Sequence, residues 1–173
     1  MIRRLARLAA LVLLIVTASS AADGPLSVPF FKQRKNGCGA ASVAMVMRYW
    51  GASPSADEVY QSLYDPARKA IPLARMKQYL EQHHFHAFTL RGAAEDVEGH
   101  LAKGRPVIAA LRPRPKAALH FVVITGMAAE TVWINDPTRK KPLRMKRADF
   151  EKQWALGDHW MLLAASGATN PEQ

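Results

Sequence analysis

Cysteine is almost missing from this chain: Cys38 stands alone among 173 residues. One thiol excludes an internal disulfide, so whatever holds the fold together is not a covalent staple. Acidic residues are few as well, 14 against 24 Lys and Arg, which leaves a net charge of +10. No Gly-rich phosphate loop is present, and with it goes the usual sign of a nucleotide cofactor. Nor is there an internal repeat, a low-complexity stretch or an internal linker. What is plentiful is apolar material, 49% of the residues, enough for one core at this length.

The N-terminal apolar run, Leu8 to Val16, is too short to span a bilayer comfortably. Arg3, Arg4 and Arg7 precede it and the small residues Thr17 to Ala22 follow, the three-part build of a secretory signal. Residues 1–22 are therefore expected to be a signal peptide, with Ser20 and Ala22 suited to the cleavage site, and residues 23–173 a single domain delivered to the periplasm or secreted; the alternative is an uncleaved anchor. Loss of those three arginines leaves 21 basic and 14 acidic residues, a balance of +7. The basic residues are spread out, apart from a loose cluster from Arg139 to Arg147. It has no interleaved aromatics and no nucleic-acid motif, so it reads as a solvated face, and no nucleic-acid partner is expected.

From Cys38 to Trp50 the sequence CGAASVAMVMRYW is apolar nearly all round, which predicts a helix buried through the middle of the domain. Asn36 and Gly37 precede it as turn or cap residues, and Gly51 closes it. Further helices are predicted over Ala56 to Tyr64, capped by Ser53 or Ser55, from Pro72 to about Gln82, and, more weakly, over Ala93 to Lys103. Then the period changes. Pro106 to Leu111, Leu119 to Met127, Thr131 to Asn135 and Trp160 to Ala165 read as short strands, with a short helix near Ala148 to Trp154. Helices first and strands second predict an α+β domain, a helical layer on an antiparallel sheet.

Cys38 opens the buried helix, where unpaired backbone N–H groups and the positive end of the helix dipole favour a thiolate. Gly37 and Gly39 beside it are expected to leave room for a substrate backbone. His120 is the base candidate, because it begins the otherwise apolar strand HFVVIT. A hairpin turning at Ala128 makes paired residue numbers total 256, and His120 and Asp136 meet that total. Directly opposed residues share a face with Cβ atoms about 4.5 to 5.5 Å apart, whereas a slip by one residue sends them to opposite faces. In such a trio Asp136 orients the ring, and His120 takes the thiol proton and later gives it to the leaving amine, which is acyl transfer. The oxyanion would be met by the Cys38 backbone N–H and the side-chain amide of Gln33, five residues upstream.

These stretches, VPFFKQRKNGCGAASVAMVMRYWG, GRPVIAAL, LHFVVITG and INDP, resemble the bacteriocin-processing or double-glycine cysteine peptidases, over about residues 28–155. Gln33, Cys38, His120 and Asp136 fall where that family has its oxyanion glutamine, nucleophile, histidine and aspartate. The resemblance implies a papain-like cysteine peptidase fold, with the nucleophile at a buried helix N-terminus, acting on a peptide or protein substrate, often after a pair of small residues such as Gly-Gly. Two departures stand out. Familiar members are domains of ABC transporters, whereas this chain is expected to be a stand-alone exported peptidase, and Gly37 replaces the acidic residue common before the nucleophile.

Alternatives stay open at this point: transpeptidase or transglutaminase-like acyl transfer on the same fold, a non-catalytic binding module in export or assembly, and, on net charge alone, a basic nucleic-acid or surface-binding protein. No metal and no cofactor are expected, because His83, His84 and His86 at a helix end have no ligand partners at suitable spacing. His159 is expected to mark a strand start, and Trp50, Trp133, Trp154 and Trp160 core or rim packing. The protein is expected to act as a monomer that contacts membrane only through its signal segment.

Overall fold

The computed structural model describes residues 24–166; the expected signal segment, residues 1–22, lies outside the described residues. Five helices, α1 (Cys38–Tyr49), α2 (Ala56–Leu63), α3 (Leu73–Gln82), α4 (Ala94–Leu101) and α5 (Arg147–Leu156), surround six strands among the described residues. The strands are β1 (Phe85–Arg91), β2 (Val107–Leu111), β3 (His120–Met127), β4 (Thr131–Asn135), β5 (Leu143–Lys146) and β6 (Trp160–Ser166). They form one antiparallel sheet in the order β1-β6-β2-β3-β4-β5.

Helix α1 is central because Gly39 to Met47 are buried without a break, so it has no face to give to water. It packs against the sheet on one side and α2 and α3 on the other, burying Val43, Met45 and Met47 with Phe121 and Val123 of β3. Each such side chain contributes roughly 1.5 to 3 kcal/mol by leaving water. Ser55 begins α2 with a capping box: its hydroxyl accepts from the Glu58 N–H and the Glu58 carboxylate accepts from the Ser55 N–H. The opposite sheet face carries a second core, where Val97 of α4 and Phe150 and Trp154 of α5 cover Val107, Val122 and Ile124. The helices thus lie on both faces of the sheet, three on one and two on the other.

Two strands depart from the expected order. β1 was hidden because FHAFTLR carries apolar residues on both faces, with Phe85 and Ala87 buried and Phe88 and Leu90 exposed. β5, LRMK, alternates half-buried Leu143 and Met145 with exposed Arg144 and Lys146, and its charges mask that period.

The β3–β4 hairpin also differs from the expected one. Its two-residue loop is Ala129–Glu130, between Ala128 and Thr131, which exchange backbone hydrogen bonds of 2.8 and 3.3 Å. Next to the turn, paired residue numbers total 259, an odd number that would separate residues 120 and 136 onto opposite faces. A bulge intervenes at Thr125, which has no partner of its own, and beyond it the total becomes 258. That register, carried outward, sets Asp136 opposite Val122 and diagonal to His120, not directly opposite as the total of 256 required. The bulge is what returns the histidine and the aspartate to one side.

Candidate active site

His120 Nε2 lies 2.7 Å from Asp136 Oδ1, and both side chains are largely withdrawn from solvent, 25% and 11% exposed. Diagonal neighbours on paired strands are within reach of long side chains, so the bulged register suffices for this contact. Cys38, half-buried at the start of α1, is near enough to the same ring to act on it through a hydrogen bond and through charge. With Nε2 committed to Asp136, Nδ1 is the ring nitrogen left for the thiol.

Burial works against a charged ring, but hydrogen bonds to Asp136 and Cys38, with the charges of both, outweigh it and push the His120 pKa up to about 9. Burial likewise pushes the Asp136 carboxyl up, yet hydrogen bonds from His120 and from Thr138 bring it well below the usual carboxylate range. The Thr138 contribution is double: its backbone N–H at 2.9 Å and its hydroxyl at 2.7 Å both donate to Oδ1, the oxygen that faces the ring. Arg139 Nε stands 3.5 Å from the other oxygen, Oδ2. A carboxylate held in this way is fixed in charge and direction.

The nucleophile's end is arranged by different means. Gly37 is the N-cap of α1 and supplies no side-chain hydrogen bond, and the first turn holds no acidic residue, so the helix's own side chains do not offset its positive end. Gly37 and Gly39 do not open space for a substrate, contrary to expectation. A Cβ at residue 37 would meet Tyr60 Cδ2 at 2.8 Å, and one at residue 39 would meet Met76 Sδ at 3.0 Å and Ile71 Cγ2 at 3.1 Å. Both glycines are buried and let α2 and α3 close on the helix start. The space an acidic residue would fill before the nucleophile is here taken by the Tyr60 ring.

Gln33 is brought to the same region through its backbone, its N–H donating to Pro137 O at 3.0 Å. A second tie sits behind it: buried Asn135 donates from Nδ2 to Val28 O at 3.0 Å. Two hydrogen bonds thus sew the stretch leading to Cys38 onto the segment that carries Asp136. The Gln33 side-chain oxygen is buried without a hydrogen-bond partner.

Cys38, His120 and Asp136 are brought together, and Gln33 is placed beside Pro137. Asn135 and Thr138 were missed from sequence, because a polar residue on each side of an Asp-Pro pair reads as ordinary turn chemistry. The other histidines lie elsewhere: His83 ends α3 against Tyr79, His86 sits in β1, and His159 precedes β6 with its ring edge-on to Trp154. Trp154 and Trp160 are core residues, while Trp133 lies under Arg144 and Trp50 ends α1. Among the described residues no group of three or more His, Cys, Asp or Glu is placed to hold a metal ion.

The model of the Peptidase_C39-like family matches residues 25–158. Among solved structures, a C39-like peptidase from Bacillus anthracis is 17% identical with a TM-score of 0.70, over 83% of this chain and 97% of that one. The double glycine motif protease of an AMS/PCAT transporter, solved with a leader peptide, is 22% identical with a TM-score of 0.65, over 83% and 94%. The peptidase domain of Streptococcus ComA, a bifunctional ABC transporter, is 17% identical with a TM-score of 0.66, over 80% and 98%. No curated protein matches the chain.

Proposed function

The chain belongs to the Peptidase_C39-like family and is a cysteine peptidase of papain-like fold, and from that premise we propose that Cys38 is its nucleophile, His120 its acid–base group and Asp136 the residue that orients the ring. The observation that carries this reading is the convergence on one imidazole: a carboxylate at 2.7 Å on one nitrogen, and near the same ring the sulfur that begins the buried helix.

The steps follow from the geometry. His120 holds the proton given up by Cys38, and the sulfur adds to the carbonyl carbon of the scissile peptide bond. The donors this reading assigns to the negative charge that forms on the carbonyl oxygen are the Cys38 N–H at the uncapped helix end and the side-chain amide nitrogen of Gln33. Collapse breaks the C–N bond, the amine leaves with the proton from His120, and a thioester remains on Cys38. Water then adds to the thioester, His120 takes its proton, and the acid product departs as the thiolate is restored.

The leader peptide bound to the transporter-linked relative suggests a peptide segment of a precursor protein as substrate, and residues 1–22 suggest that the work is done outside the cytoplasm. Incubation of the mature protein with candidate precursors, with and without an added amine, separates hydrolysis from transfer by the mass of the product. The expected result is hydrolysis that is lost in Cys38→Ala and His120→Ala. Cleavage that persists in Cys38→Ala sinks the assignment.

A further inference from the structure

The structure changes the reading of the basic residues. Lys32, Arg34 and Lys35 immediately precede the nucleophile, and Arg139, Lys140 and Lys141 follow Asp136; all six are exposed. The hydrogen bond from Gln33 N–H to Pro137 O joins the two stretches, so both leave one junction, next in sequence to Asp136 and five residues or fewer from Cys38. Two of the six have acidic partners: Arg34 lies 3.6 Å from Asp57 and Arg139 lies 3.5 Å from Asp136. Lys32, Lys35, Lys140 and Lys141 make no ion pair among the described residues. Asp136, the carboxylate nearest this junction, is already engaged by His120 and Thr138. The junction beside the candidate site therefore carries a cluster of positive charge that ion pairs among the described residues do not neutralise.

We propose that this rim selects polypeptide substrates with acidic residues flanking the bond to be cut, an inference that rests on the peptidase reading above. Clustered charge at a cleft raises the local concentration of an oppositely charged segment and speeds its arrival. Neither 32–35 nor 139–141 contains an aromatic residue on which a base could stack. The exposed apolar residues Phe88 and Leu90 lie on β1, with three strands between it and β4. Among the described residues no exposed large apolar side chain accompanies the rim to anchor it in a bilayer.

The thiol itself reports the field, because iodoacetate and iodoacetamide alkylate the same sulfur and differ in charge. The ratio of their rate constants is measured for the mature chain and for a K32E/K35E/K140E/K141E variant; the contribution of the His120 charge is common to both and cancels. The expected result is a fall of about tenfold in the ratio on charge reversal, with an intermediate fall in the corresponding Lys→Gln variant and loss of the difference at high salt. The Gln variant serves as the reading if the reversal disturbs folding. An unchanged ratio in either folded variant overturns the proposal. A second arm measures anisotropy of labelled peptides bearing four Glu or four Gln on Cys38→Ala, and flotation with phosphatidylglycerol vesicles. Preference for the Glu peptide supports the proposal, and vesicle binding without peptide preference overturns it. Alkylation reads the field whether or not the chain cleaves peptides, so loss of the peptidase reading would show separately, as absent turnover with the ratio intact.

Discussion

Two strand pairs in this sheet differ in regularity. β1 and β6 run through seven residue pairs in one unbroken register, from Phe85 opposite Ser166 to Arg91 opposite Trp160. β3 and β4 cannot keep one register for their length and shift at Thr125. The regular ribbon ends at an open edge and carries no candidate catalytic group, whereas the irregular one carries His120 at its far end and delivers Asp136 to it. A tight two-residue turn fixes pairing from one end of a hairpin and the active site requires a particular pairing at the other. Where the two disagree by one residue, a bulge reconciles them.

The hardest test of that contrast is a single glycine inserted after Asn135. No bulge lies beyond that point to absorb it, so Asp136 moves one step along the strand, about 3.3 Å, and onto the other face. Turnover is expected to fall by about 10²- to 10⁴-fold, the usual worth of an acid–base group. The same insertion after Arg91, where β1 leaves the regular ribbon, is expected to leave turnover unchanged. Kinetics on the two proteins decide it, and equal losses would mean that register is not what matters.

Titration gives the next largest effect. A histidine whose pKa rises from 6.5 to about 9 on folding adds stability that is complete below about pH 6.5 and is lost as pH rises through 9. Asp136, lowered on folding, adds stability above its unfolded value of 3.8 that disappears as the pH falls below it. Urea unfolding of the wild type and Asp136→Asn at pH 6 and pH 10 should show the wild-type advantage at pH 6 and a much smaller one at pH 10. An NMR titration of the His120 ring should place its midpoint near 9 in the wild type and lower in the variant.

Crowding sharpens the comparison from another side. Gly37→Ala drives a methyl group toward the Tyr60 ring and is expected to destabilise by about 1 to 3 kcal/mol, recovered in large part when Tyr60 is also replaced by Ala. Leu90→Ala on the exposed face of β1 should change stability by less than about 0.5 kcal/mol. Calorimetry on the three proteins checks both values. Among the effects on rate the smallest loss is expected of Thr138→Val, which removes the hydroxyl donor to Asp136 and keeps the backbone one: a loss of about fivefold in kcat/KM, in line with one hydrogen bond. Thr138→Ser should restore the rate, and a Val variant at full rate would dismiss the hydroxyl as a positioning group.

Much of this was legible in the residues. α1 announces itself by its unbroken apolar run, and Cys38 by standing at its head without any possible disulfide partner. β2, β3, β4 and β6 show in their apolar and β-branched runs. The meeting of His120 with Asp136 was expected for nearly the right reason: even parity was required and is present, but it is produced by Thr125 and not by the turn. A bulge between Ile124 and Gly126 leaves no mark in composition, since its cause lies in pairing with a distant strand and with the N-terminal stretch, where Leu26 N–H donates to Thr125 O. Asn135 and Thr138 were invisible because their partners, Val28 O and one carboxylate oxygen, are defined only in three dimensions. The glycines flanking Cys38 were misread for a related reason: the absence of a side chain says that something comes close, not what.

The junction at Gln33 and Pro137 has a practical side. Apart from Arg139, whose Nε lies 3.5 Å from Oδ2, what orients the carboxylate ends at Thr138, while the exposed residues 140–142 lie past that point and outside any helix or strand. For anyone wishing to redirect the enzyme, that short stretch is a place to graft new recognition, including longer inserts after Lys140, with the chemical machinery left as it stands.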